Sequence, residues 1–109
     1  MNIFENIPFQ EENFGYRKLF ENDYCLILQI ALNPKQSVKE HNANSFLTII
    51  PIIGEVEITI NGIKSNLKEG TLFNVNLNDR MFIENTSDKK SSLLVFKAPH
   101  PDSFKKDSQ

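Results

Sequence analysis

Any chemistry in this 109-residue chain has to be built from two histidines, one cysteine and carboxylates spaced along alternating segments. His41 has the most to offer, because an imidazole titrates near neutrality and can serve as a general base. Such a base needs a partner that orients it. Glu40 is adjacent in sequence and points to the opposite face if the segment is a strand. The plainer reading of His41 is a hydrogen-bonded rim residue. His100 stands between Pro99 and Pro101, past the last strand signal, and must reach back to take part. Cys25 cannot form an internal disulfide. It lies in the apolar run from Tyr24 to Leu32 with no basic neighbour in sequence to lower its pKa, which predicts a buried, inert thiol. Arg80, Glu84, Glu55 and Glu57 fall at alternate strand positions and read as a solvated face.

The elements that must position these residues are short strands cut by turns. From Glu55 to Ile60 polar and apolar residues alternate, putting Val56, Ile58 and Ile60 on one face of a strand. Asn61-Gly62 tolerates the positive φ angles of a two-residue turn, so the chain folds back through Ile63 to Leu67 as a hairpin. Phe14 to Phe20, Tyr24 to Leu32, Gln36 to Glu40, Phe46 to Ile53, Thr71 to Val75, Arg80 to Glu84 and Ser92 to Lys97 supply the other strand signals. Tyr24 to Leu32 is nearly all apolar and short, and its flanking turns favour a strand buried on both faces over a buried helix turn. Pro51 removes a ladder donor and belongs at an edge, a bulge or a strand end. No segment carries the stripe of an amphipathic helix, and many short strands at near-regular spacing predict an all-β sandwich or barrel with antiparallel pairing. Residues 1–13 read as an extended N-terminal arm, 14–101 as the barrel, and 102–109 as a charged tail with Phe104 its only anchor.

Composition narrows the function classes. A formal charge of −2 argues against nucleic acid or an anionic membrane as the main partner. The 39% apolar content, with nine Phe, suits a globular core. No apolar run approaches a membrane span and no secretory signal is visible, so a cytoplasmic location is the default expectation. Phe73 and Phe82 fall on strands whose opposite parity is also apolar. That excess predicts a second sheet against the first, from another copy of the chain in a homodimer.

With this order of strands and turns the chain resembles a cupin, the small double-stranded β-helix or jelly-roll barrel. The family's second motif runs glycine, five residues, Pro-x-Gly, two residues, histidine, three residues, asparagine; Gly70 and Asn85 stand at its two ends. Asn76 and Asn78 take the Pro and Gly places, and Met81 takes that of the metal-binding histidine. In the first motif His41 and Gly54 keep their places, while Lys35, Ala43 and Leu47 replace the first glycine, the second histidine and the glutamate. The run from Phe46 to Glu57, with GTLFNV and IEN after it, is similar to the C-terminal cupin domain of pirin-like or quercetinase-like proteins, in which the metal centre belongs to the other domain. The resemblance covers roughly residues 24 to 98.

It implies an all-β jelly-roll barrel of two antiparallel sheets, with Ala43, Leu47, Met81 and Ile83 lining an apolar interior and His41 near the mouth. Those five residues are the ligand pocket the resemblance implies. Either they simply fill the core, or they surround a cavity for an apolar small molecule. Of the four matched ligand places only His41 offers a donor that suits a first-row metal, so neither a metal nor another cofactor is expected. The implied function is a metal-free small-molecule-binding or interaction module. The alternative is an enzyme: a metal-independent sugar isomerase or epimerase with His41 as the catalytic base, or a dioxygenase with ligands from other positions.

Overall fold

The computed structural model describes residues 1–105; Lys106 to Gln109, the end of the expected tail, lie outside the described residues. Nine strands follow in order: β1 (Gly15–Glu21), β2 (Leu26–Leu32), β3 (Ser37–Asn42), β4 (Leu47–Ile53), β5 (Val56–Ile60), β6 (Ile63–Leu67), β7 (Phe73–Val75), β8 (Arg80–Glu84) and β9 (Ser91–Lys97). They form a five-stranded sheet, β1-β2-β9-β4-β7, and a four-stranded sheet, β3-β8-β5-β6, with every described pairing antiparallel. Consecutive strands such as β3 and β4 change sheets, which is the interleaving of a jelly roll.

Alternation sets which side chains meet between the sheets. Val56 and Ile58 of β5, Met81 and Ile83 of β8, Leu47 and Ile49 of β4 and Leu93 and Val95 of β9 are buried in one apolar cluster. The β5–β6 hairpin turns through Asn61 and Gly62, both with positive φ (49° and 85°), and pairs Ile60 with Ile63. Gly54 is held more tightly: its φ is +65°, and a Cβ there would sit 2.6 Å from the Lys90 carbonyl oxygen. Pro51 lies where the ladder gives way. β7 pairs with β4 only as far as Ile49, and the β4–β9 register shifts between Pro51 and Ile53.

Four segments differ from the sequence expectation. The arm contains no strand; it makes turns and lies across the outer face of the five-stranded sheet. There Arg17 donates to the carbonyls of Glu5 and Asn6 and Gln29 donates to that of Ile3. The arm so covers the outward-facing Gln29, Ala31 and Ser92, which explains why β2 is buried on both faces. Cys25 is half-buried rather than buried, because β2 begins one residue later and Cys25 belongs to the Asn22 turn. The strand expected from Thr71 keeps only Phe73–Val75, since Thr71 closes a turn onto the Lys68 carbonyl. Past the barrel, Pro101–Phe104 make a 3₁₀ turn, and the Phe104 ring packs edge-on against Phe46 at 6.1 Å.

Candidate functional site

The interior positions named from the motifs converge, with one exception. Met81 sits opposite His41 on β3 and opposite Ile60 on β5; Ile83 sits opposite Ile58. Leu47 opens β4 against Val75 and Lys97. Ala43 follows β3, its N–H donating to the Asp79 carbonyl and its C=O accepting from Asn78. Ala43, Leu47, Met81 and Ile83 are each no more than 4% exposed and share one core cluster. They pack on one another, which is the core-filling reading. The three of these at family ligand places present two hydrocarbon side chains and a thioether, a donor set that does not suit iron, manganese or nickel. Among the described residues no three His, Cys, Asp or Glu side chains come together in a way that could hold a metal ion. The residues present do not fit the family's metal.

His41 is the exception. The register puts it on the inward face beside Met81, yet at the open edge of the four-stranded sheet its side chain is exposed. Its Nδ1 donates to the Lys39 carbonyl at 2.8 Å, so Nε2 carries the lone pair. Among the described residues no carboxylate orients the ring. Glu40, the one neighbour in sequence, is turned to Arg80 at 3.2 Å. The ring faces solvent, whereas base catalysis needs an orienting partner and an enclosed substrate.

Two features escaped the sequence reading. His100, 8% exposed, donates from Nε2 to Glu21 at 2.6 Å, while its Nδ1 accepts the Asp102 backbone N–H at 3.0 Å. Both ring nitrogens are engaged, so the ring pins the 3₁₀ turn to the end of β1. Lys18, and next His100, hold the Glu21 carboxyl below the usual carboxylate range by hydrogen bonding. Glu21, Asn22, Asp23, His100 and Asp102 line a polar cleft of about 240 Å³ there. The signal for this contact was the Pro-flanked histidine itself, but its partner lies 79 residues away.

The second feature is Lys97. Val95 is core, so Lys97, two residues on, also faces inward, and it is half-buried. Burial pushes its pKa below the ordinary lysine range. Here the parity of Leu93, Val95 and Lys97 was readable in the sequence.

No protein-family model matches the chain. An uncharacterized protein of Methanocaldococcus jannaschii is 33% identical over 85 residues, 77% of this chain and 73% of that one. The crystal structure of that same Methanocaldococcus jannaschii protein, an RmlC-like cupin family protein with a double-stranded β-helix fold, superposes with a TM-score of 0.78 at 30% identity, covering 85% of this chain and 86% of the other. A Thermus thermophilus protein superposes at 0.85 with 22% identity over 93% and 97% of the two chains, and shares the fold. None of these names is of a pirin-like or quercetinase-like protein, and they lend that finer resemblance no support. Strand order, burial and these relatives agree on one statement: the chain belongs to the cupin superfamily, among its RmlC-like members.

Proposed function

We propose that this cupin works without a metal and without catalysis, as a binding module that acts through its surface. The observation that carries this reading is the packing of Ala43, Leu47 and Met81 where the family places ligands. An apolar core packed there stabilises the barrel and supports a reading without an interior guest. His41 supports no enzymatic alternative, since an isomerase needs its base oriented and facing an enclosed substrate. A cytoplasmic setting is part of the proposal, in keeping with a single unpaired Cys25.

The partner we propose is a second copy of the chain. On the outer face of the five-stranded sheet the arm covers Gln29, Ala31 and Ser92, but beyond it Ile27, Ile50, Leu94 and Phe96 form a half-buried apolar stripe by register. The stripe runs to a groove of about 310 Å³ walled by Phe46 and Phe96, with Thr48, Asn74 and Asn76 as its polar lining. Two sheets of this kind bury their apolar faces by packing on each other.

Metal analysis and light scattering on the purified full chain test the two halves separately. Substoichiometric transition metal and a dimer that Phe96→Glu converts to monomer are expected. Stoichiometric iron, manganese, nickel or copper overturns the metal-free half; a monomer at all concentrations overturns the self-association half.

A further inference from the structure

Lys97 ends β9, and its register partners Leu26 and Leu47 set it on the inward side of the sheet. Its ammonium donates to Asn44 Oδ1 at 2.9 Å. That acceptor is neutral. Among the described residues Lys18, Lys64 and Lys105 each meet a carboxylate within 4.0 Å, whereas Lys97 meets none. A half-buried cation without a counter-charge is electrostatically incomplete.

The surroundings point to what completes it. Residues 43–46 join the end of β3 to the start of β4, which pairs with Lys97, so His41, Asn44 and Lys97 lie at one end of the barrel. Asn44 accepts from Lys97 through Oδ1, and among the described residues its Nδ2 donates to no protein group. An ammonium and an amide N–H are thereby held together by the bond between them, a pair of donors suited to two oxygens of one anion. Ala43, Leu47 and Met81 belong to the packed core, so a guest at this pair stays outside the interior, which suits a small head group.

We propose that Lys97 and Asn44 form a binding site for a small oxyanion, a carboxylate or phosphate group, at the end of the barrel where β3, β4 and β9 meet. This rests on the reading of the chain as a binding module and gives that module a ligand class.

The test is titration of the full chain with sodium acetate and, separately, with inorganic phosphate at constant ionic strength, following the Lys97 side-chain resonances by NMR across pH. A saturable shift with either anion is expected, together with a rise in the Lys97 titration midpoint, because an adjacent anion favours the ammonium. Lys64, already beside Glu57, should not respond. In Lys97→Met, anion binding read instead from the Asn44 side-chain amide resonances should disappear, and Asn44→Ala should weaken the Lys97 response at least several-fold; the exposed Asn44 position keeps the test available should Lys97→Met misfold. Absence of a saturable Lys97 shift with both anions, or undiminished anion binding by Lys97→Met, overturns the proposal. Light scattering on the same samples separates the outcomes: a dimer that binds no anion removes only this site, and an anion-binding monomer removes only the self-association reading.

Discussion

Met81 and His41 are register partners with opposite fates, one 3% exposed and one in solvent. Truncating Met81 to Ala leaves a cavity in the core and should cost about 2–5 kcal/mol in urea unfolding. His41→Ala should stay within about 0.5 kcal/mol of the parent, as surface changes do; equal costs would mean that His41 is built into the barrel. Lys97 makes a pH prediction with a definite sign. Its folded pKa is depressed, so between that value and the ordinary lysine range the unfolded chain binds the extra proton and stability rises with pH. Lys97→Met should flatten this alkaline rise in chemical-denaturation midpoints. Glu21 acts at the other extreme: its lowered pKa stabilises the fold above the usual carboxylate range and that contribution is lost as pH falls through the lowered value. Glu21→Gln should therefore reduce the fall in melting temperature on acidification.

At the scale of elements, the β5–β6 hairpin and the arm obey different rules. Gly62 has φ +85° with open space around the place of a Cβ, so Gly62→Ala is penalised by backbone conformation alone, about 1–2 kcal/mol. The arm hangs on side chains that reach its carbonyl groups. Arg17→Ala removes those donors together with the Arg17 contact to Gln29, and should raise amide exchange and protease cutting within residues 1–13 while leaving β5–β6 protected. The contrast shows what the sequence made legible. A two-residue turn between alternating strands is local information, so Asn61-Gly62 and the faces of β5 and β8 were readable. The arm's course depends on Arg17 and Gln29 meeting on neighbouring strands, and no local pattern records that pairing. Cys25 was misplaced because an apolar run does not say which residue is the first to join the ladder. Lys97 was readable by parity, yet a charge at the end of a strand resembles an ordinary solvated terminus until its neighbours are known. His41 was harder still, because a register irregularity between Val38 and His41 resets the parity of β3.

For the molecule as a whole, the positions where the family places its metal ligands here hold buried core side chains, and the binding proposed above falls to the outer sheet and the barrel end. One feature of the five-stranded sheet has a further effect on how the chain is made. β9 lies between β2 and β4, and neither of those reaches the other without it: β2 otherwise holds only β1, and β4 only β7. During synthesis the sheet therefore remains two separate pieces until Ser91–Lys97 leave the ribosome. Only then do Ser92 and Gln29 join across 63 residues, beneath the arm that precedes them both in the chain. The nascent barrel thus stays open along its middle until nearly all the chain described here has been translated, and in that interval it depends most on whatever shields apolar strands in the cell.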